Sequence, residues 1–289
     1  MANNDYATLK TLSFVSISVM SPQNSVQELF RTADCVCFDV DSTVIQDEGI
    51  DELAKFCGKG EEVKRLLSEI VPSVHPREAS NSRKFKDLLD KRFAKIQKIF
   101  ELISFVNSTA EAMGGSMTFQ EALKKRLDII RPSVSQIRDF IDKFPIHLTP
   151  GISQLVKELH ERGVPVYLVS GGFRCLIEPV AQTLGIPITN IYANKLKFFF
   201  NGEYAGFDEN EPTSRSGGKG LVVRRLKEQH GYQRLVIIGD GATDAEASPP
   251  ADGFIGFGGN VIREEVRKRA SWYVTDFQEL IGTLTLQTK

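Results

Sequence analysis

Two aspartates that directly follow an apolar run are the first residues that could take part in a chemical reaction. The run 35–38 (CVCF) is followed by Asp39 and, two positions later, by Asp41. Carboxylates two residues apart point the same way in extended backbone, so one could attack phosphorus while the other exchanges a proton with the leaving oxygen. The same pattern also occurs in metal sites for glycosyl transfer and in simple turns, so by itself it leaves the reaction open.

Two further motifs contain groups that bind phosphoryl oxygens. Ser170 and Gly171 follow the apolar run 165–169 and offer a hydroxyl and unhindered backbone N–H groups. Lys219 lies in a glycine-rich stretch at the predicted start of a helix, where its ammonium supplies a positive charge. Taken singly, the first motif also fits an ordinary strand-to-helix turn, and the lysine also fits a solvated loop.

A second acidic pair completes the set. Asp240 directly follows the apolar run 235–239, and Asp244 comes four positions later. Their hard oxygens suit Mg²⁺, although a turn without function has the same composition. The order is more informative than any one motif, because carboxylates, hydroxyl, lysine and acidic pair each follow a different apolar run or open a helix. This order indicates phosphoryl transfer.

The apolar runs predict the elements that position these residues. Runs without polar alternation at 35–39, 165–170, 235–240 and 253–257 are typical of strands buried on both faces of a parallel sheet. Helical patterns lie between and after them at 152–162, 176–184, 220–230 and 262–270, and another covers 119–129. This alternation predicts a Rossmann-like α/β fold. The Asn-Gly pair within 196–207 predicts a β-hairpin.

A helix-rich segment separates the first strand from the rest of the sheet. Residues 46–146 begin next to the carboxyl end of that strand, which is where α/β sheets bind ligands. We therefore expect an α/β core domain at 25–45 and 147–289, a helical cap at 46–146 and an N-terminal leader at 1–24.

Composition narrows the classes of function. The 289 residues carry a formal net charge of −1, which argues against binding to nucleic acid. No apolar stretch reaches the roughly 20 residues of a membrane span. The 4 cysteines form no CxxC pair, so we expect reduced thiols in a cytoplasmic protein. The sequence leaves a homodimer open.

Longer strings resemble a known family. They are DVDSTVIQDEGIDELAKFCG, LTPGISQLVKEL, VSGGFRCLIEPVA, KFFFNGEYAGFDE, SGGKG, IGDGATDAEASPPADGFIGFGGNVIR and WYVTDFQEL. They are similar to the eukaryotic phosphoserine phosphatases of the haloacid dehalogenase superfamily, over about 25–66 and 109–284. The resemblance implies the superfamily's α/β core with an inserted cap. It also implies Mg²⁺-dependent hydrolysis of the small-molecule substrate O-phospho-L-serine, the last step of serine biosynthesis, through an aspartyl phosphate.

The resemblance also implies a role for individual residues. Asp39 would be the nucleophile and Asp41 the acid and base, with Lys219 as a further catalytic residue. Asp39, the backbone carbonyl of Asp41 and Asp240 would hold Mg²⁺, and Asp244 would support that site. The residues implied to contact the substrate are Glu48, Met113, Gly114, Arg126, Ser170, Gly171, Lys219, Thr243 and Arg263. Of these, Glu48 would pair with the ammonium and Arg126 with the carboxylate.

One segment departs from the family pattern. The pattern runs from Leu66 directly to Thr109, whereas here 67–108 stand between and interrupt what otherwise reads as one helix. Within the insertion, apolar residues at helical spacing over 85–105 predict an amphipathic helix. We expect intact phosphoryl chemistry with impaired cap closure. The alternatives left open are another small phosphomonoester as substrate, weak or broadened phosphatase activity, and a non-catalytic binding variant.

Overall fold

The computed structural model describes residues 21–70 and 118–285. Its strands are β1 (Cys35–Phe38), β2 (Val166–Phe173), β3 (Ile191–Asn194), β4 (Leu196–Phe198), β5 (Tyr204–Phe207), β6 (Leu235–Gly239), β7 (Gly253–Phe257) and β8 (Trp272–Val274). Six of them form a parallel sheet in the order β3-β2-β1-β6-β7-β8, and β4 pairs with β5 in an antiparallel hairpin.

The described helices are α1 (Pro22–Arg31), α2 (Gly49–Phe56), α3 (Gly60–Ile70), α4 (Phe119–Ile130), α5 (Val134–Lys143), α6 (Ile152–Glu161), α7 (Arg174–Thr183), α8 (Gly218–His230), α9 (Ala242–Ala245), α10 (Glu264–Arg269) and α11 (Phe277–Thr285). Capping boxes at Thr118 and Ser133 satisfy free N–H groups at the starts of α4 and α5.

Strand β1 lies at the centre of the sheet and is buried on both faces. Val36 is in register with Val166 of β2 and with Val236 of β6. Val36 and Phe38 belong to the apolar layer under α1, α6 and α11, whereas Cys35 and Cys37 belong to the layer under α8. An uninterrupted apolar strand is therefore what this position requires.

Helices α2 to α5 lie between β1 and β2 in the chain and share an apolar cluster of their own, which includes Leu53, Ile130 and Phe140. The chain leaves the sheet region and returns to it side by side, since Ile45 forms a β-bridge with Leu148. These helices are therefore attached close to the carboxyl end of β1.

The predicted α/β fold with a parallel sheet is confirmed, and so are the four predicted strands and the hairpin. Strands β3 (IYAN) and β8 (WYV) were not predicted, because β3 mixes apolar with polar side chains and β8 has only 3 residues. Met113, Gly114, the predicted helix at 85–105 and most of the predicted leader lie outside the described residues. Across 21–70 and 118–285, no helix has the length and apolarity that crossing a bilayer requires.

Candidate active site

The loop after β1 projects two carboxylates from the carboxyl edge of the sheet. The N–H of Asp39 donates to the carbonyl of Ile238 at 2.9 Å, which continues the sheet pairing by one residue. The backbone then turns sharply at Ser42, whose φ of +55° lies in the left-handed region. This turn directs the chain towards α2 and leaves Asp39 and Asp41 beside the same cleft.

The two carboxylates have different surroundings. Asp39 Oδ1 lies 2.8 Å from the ammonium of Lys219. Asp41 instead accepts hydrogen bonds from the N–H of Gly49 at 2.7 Å and from the hydroxyl of Ser170 at 3.3 Å. Burial, and next the negative charge of Asp39, raise the pKa of Asp41 to about 6. A group with this pKa can both give and accept a proton near neutral pH.

The turn at the end of β2 brings a hydroxyl and two glycines to the same edge. Ser170 Oγ accepts from the N–H of Gly172 at 2.8 Å. A Cβ on Gly172 would lie 2.7 Å from Asp41 Oδ2, so no side chain fits there without moving that carboxylate. A Cβ on Gly171 would meet the ring of Phe119 in α4 at 3.2 Å. The glycines therefore let β2 approach both the Asp41 carboxylate and helix α4.

Lys219 is the second residue of α8 and reaches into the carboxylates. Its helix begins after Gly217, which has a φ of +70°, and Gly218 packs so tightly that a Cβ would lie 2.0 Å from a backbone carbonyl. The ammonium of Lys219 contacts Asp39 at 2.8 Å and Asp244 at 2.6 Å. These carboxylates outweigh burial and raise the pKa of Lys219, so the lysine is charged.

Three buried carboxylates converge at this point. One oxygen from each of Asp39, Asp240 and Asp244 lies within 4.8 Å of the others, and this is the group of potential metal ligands found within 21–70 and 118–285. Asp240 is oriented by Thr43 at 3.2 Å and by the guanidinium of Arg263 at 2.7 Å. Asp244 accepts from the N–H of Gly241 at 3.0 Å and is fully buried.

The charges at this cluster fit a bound cation. Burial, followed by the charge of Asp39, raises the pKa of Asp244 well above its ordinary value, and burial also raises that of Asp240. When ionised, the three carboxylates face only two cations in direct contact among the described residues, Lys219 and Arg263, so their negative charge is not fully compensated. An all-oxygen donor set with excess negative charge suits a hard divalent ion.

The remaining charged groups line the cleft from the start of α2 and from α4. Glu48 accepts from the hydroxyl of Ser42 at 2.8 Å and lies 3.4 Å from Arg263. Burial, and next the charges of Asp41 and Asp240, raise the pKa of Glu48 to about 8. Arg126 of α4 also lines the cleft, and its guanidinium lies 3.1 Å from Asp51.

The structure brings most of the predicted site residues together. Those that line the cleft are Asp39, Asp41, Glu48, Arg126, Gly171, Lys219, Asp240, Thr243 and Arg263. Ser170 and Asp244 lie directly behind them, in contact with Asp41 and Lys219. Asp244, for which the resemblance implied a supporting role, belongs to the three-carboxylate cluster, whereas the side chain of Asp41 points to Gly49 and Ser170. Met113 and Gly114 lie outside the described residues.

Sequence reasoning assigned no role to several residues that hold the site together. Ser42 and Thr43 orient Glu48 and Asp240, and their position directly after Asp41 was the available signal. Asn260 donates to the carbonyl of Ser42 at 3.1 Å and to Thr149 at 2.7 Å, which fastens the turn to the core. Nothing in the local sequence indicated that contact.

Comparison with known proteins agrees with this fold. Residues 33–252 match the model of the haloacid dehalogenase-like hydrolases. The chain therefore belongs to the haloacid dehalogenase-like hydrolase family, within its phosphoserine phosphatase branch. The phosphoserine phosphatases of Bos taurus and Mus musculus are each 50% identical to it over 265 residues, which are 92% of this chain and 99% of each relative.

A solved structure shows the same fold. It is that of a phosphoserine phosphohydrolase-like protein from Francisella tularensis, with a TM-score of 0.65 and 23% identity. The match covers 88% of this chain and 100% of the other.

Proposed function

We propose that this chain hydrolyses O-phospho-L-serine to L-serine and phosphate with Mg²⁺, through a phosphorylated Asp39. One observation carries the proposal: two carboxylates beside one cleft differ in charge environment, with Asp39 paired to Lys219 and the pKa of Asp41 raised to about 6. This difference suits a nucleophile and an acid. The substrate is supported by the relatives, whose name is phosphoserine phosphatase.

The reaction would proceed in two steps. A carboxylate oxygen of Asp39 attacks phosphorus and the bond to the serine oxygen breaks, while Asp41 gives that oxygen its proton. Water then attacks the aspartyl phosphate, Asp41 takes the proton from that water, and phosphate leaves as the Asp39 carboxylate is restored. The hydrogen bonds from Gly49 and Ser170 to Asp41 would keep its carboxyl aimed at the reacting oxygens.

The phosphoryl group would bind between the ends of β2 and α8. The Ser170 hydroxyl and the N–H of Gly171 would donate to its oxygens, and the ammonium of Lys219 would neutralise part of its charge. Lys219 is preorganised for this, because Asp39 and Asp244 already hold its ammonium in place.

Mg²⁺ would be held by Asp39, Asp240 and the backbone carbonyl of Asp41, with the Asp244 carboxylate in support. The convergence of three buried carboxylates supports this assignment. The ion would supply charge neutralisation for the phosphoryl oxygens.

The serine part of the substrate would be recognised by opposite charges on the cap side. Glu48 would accept from the ammonium and Arg126 would donate to the carboxylate, while Thr243 and Arg263 complete the contacts. Met113 and Gly114 are assigned to the same pocket from the family resemblance alone. Helices α2 to α5 would act as the cap that closes over this substrate, as a domain spanning 46–146. The four free cysteines support a reducing compartment such as the cytoplasm.

The test is phosphate release from O-phospho-L-serine in the presence of Mg²⁺. We expect Asp39→Asn to lower kcat by about 10³-fold or more, because the amide cannot act as the nucleophile. Asp139→Asn, which removes an exposed carboxylate paired with Lys143 on α5, is the matched control and should keep full activity. Unchanged turnover in Asp39→Asn would refute the proposed nucleophile.

A deletion of 67–108 tests whether the insertion impairs closure of the cap. If the insertion impairs closure of the cap, the deletion raises kcat/KM for O-phospho-L-serine and leaves p-nitrophenyl phosphate hydrolysis unchanged. Equal kcat/KM values for O-phospho-L-serine before and after the deletion would contradict that expectation.

A further inference from the structure

A single ion pair joins the start of α2 to the middle of α4. Arg126 Nη2 lies 3.1 Å from Asp51 Oδ1, and the two residues are 75 positions apart in the chain. Their side chains are only 13% and 21% exposed, so water screens the pair much less than a surface ion pair. The contact is therefore able to orient the guanidinium.

Arg126 keeps hydrogen-bonding capacity in this arrangement. Its Nε atom is buried and has no hydrogen-bond partner within the described part of the chain. A buried donor without a partner is unfavourable, so the contact with Asp51 leaves the guanidinium incompletely satisfied. Arg126 lines the cleft, whereas Asp51 is not among its lining residues. The Asp51 carboxylate can therefore affect a ligand in the cleft through Arg126, which it contacts directly.

Asp51 is also hydrogen-bonded to Glu48, the second ionisable residue that could contact the serine part of the substrate. Glu48 precedes α2 directly, and its carbonyl accepts from the N–H groups of Asp51 and Glu52, each at 3.1 Å. One helical turn thus carries both Glu48, which faces the cleft, and Asp51, which holds Arg126. The separation between the Glu48 carboxylate and the Arg126 guanidinium is set through this turn.

We propose that Asp51 is a positioning residue that holds Arg126 at a defined distance from Glu48, and that it thereby selects phosphate esters carrying both an ammonium and a carboxylate. This rests on the proposed function, because it assigns the ammonium to Glu48 and the carboxylate to Arg126. In this arrangement a phosphate ester without a carboxylate gains nothing from Asp51.

The test compares two substrates with one variant. O-phosphoethanolamine has the same ester and ammonium as O-phospho-L-serine but lacks the carboxylate. We expect Asp51→Asn to lower kcat/KM for O-phospho-L-serine by about 10-fold, mainly through KM, and to leave kcat/KM for O-phosphoethanolamine unchanged. Asp51→Glu should recover part of the loss, because it restores the charge.

Two controls separate positioning from general damage. Asp128→Asn removes an exposed carboxylate paired with Lys124 on the same helix α4, and should leave both substrates unaffected. In an Arg126→Ala background, Asp51→Asn should cause no further loss, because the group that it positions is gone.

Several outcomes would overturn the proposal. Equal losses of kcat/KM on both substrates, accompanied by a lower melting temperature, would mean that Asp51 only supports the fold of the cap. An unchanged kcat/KM for O-phospho-L-serine in Asp51→Asn would mean that Arg126 does not need Asp51. Failure of the proposed function is a different result, because the unaltered chain would then not turn over O-phospho-L-serine at all.

Discussion

Replacing Gly172 with alanine would place a methyl group against the carboxylate that we propose as the acid. The added Cβ would lie 2.7 Å from Asp41 Oδ2 and 3.1 Å from Ser170 Oγ. Gly172 is not among the glycines with positive φ, so its backbone accepts an alanine without strain. The contact with Asp41 is therefore the main consequence of the substitution.

The size of the effect follows from that distance. An ordinary contact between a Cβ and an oxygen is about 3.4 Å, so the Asp41 carboxylate must retreat by about 0.7 Å. This movement weakens the hydrogen bonds that Asp41 accepts from Gly49 and Ser170. A displacement near 1 Å can cost about 10²-fold in rate, which corresponds to about 2.7 kcal/mol of transition-state stabilisation.

The assay uses leaving groups that differ in their need for a proton. The serine alkoxide needs a proton from the acid, whereas p-nitrophenolate leaves without one. We expect Gly172→Ala to lower kcat/KM by about 10²-fold for O-phospho-L-serine and by less than about 5-fold for p-nitrophenyl phosphate. Gly282→Ala on α11 is the control, because no atom of the described residues beyond its own helix lies within 4 Å of its added Cβ and the residue does not line the cleft.

Two results would contradict the proposed effect of the added methyl group on Asp41. Equal losses on both esters would show that the methyl group disturbs phosphoryl binding or the metal site rather than the acid. A fully active Gly172→Ala protein would show that Asp41 can move without consequence for proton transfer.

Two further predictions concern buried charge in the metal-free protein. Lys219→Met leaves the Asp39 and Asp244 carboxylates without their cation and should lower the free energy of unfolding at pH 7 by about 3–5 kcal/mol, measured by urea titration; an unchanged unfolding midpoint would contradict this. Glu48 has a pKa of about 8 in the folded chain against about 4.3 unfolded, so the folded state holds its proton more tightly and stability falls as pH rises between these values. Glu48→Gln should make that slope smaller without removing it, because the raised pKa values of Asp41, Asp240 and Asp244 also contribute, whereas Glu264→Gln, an exposed control, should keep the full slope; identical pH profiles for Glu48→Gln and the unaltered chain would refute the assignment.

The central strands and the order of the motifs were available from the sequence. A strand buried on both faces needs apolar residues at every position, so β1, β2, β6 and β7 are visible as uninterrupted runs. The polar residues that end these runs meet at one edge because parallel strands all end on the same side. For this reason Asp39, Ser170 and Asp240 could be assigned to one site from the sequence alone.

The short strands β3 and β8 could not be predicted in the same way. β3 (IYAN) ends in a polar residue and β8 (WYV) has only 3 residues, so neither forms an apolar run as marked as those of the central strands. Their strand geometry depends on the neighbour with which they pair. Strand β3 is extended by its pairing with β2, and β8 by its pairing with β7.

What the sequence determined by itself is which chemical groups this protein has and which edge of the sheet carries them, because an uninterrupted apolar run is typical of a central parallel strand and the polar residues follow directly at its carboxyl end. Only the tertiary structure decided which group contacts which. Arg263 bridges Asp240 to Glu48, which is 215 positions away, and Arg126 pairs with Asp51 across 75 positions. The pKa values of Asp41 and Glu48 follow from the same packing, since burial and neighbouring charge exist only once distant segments have come together.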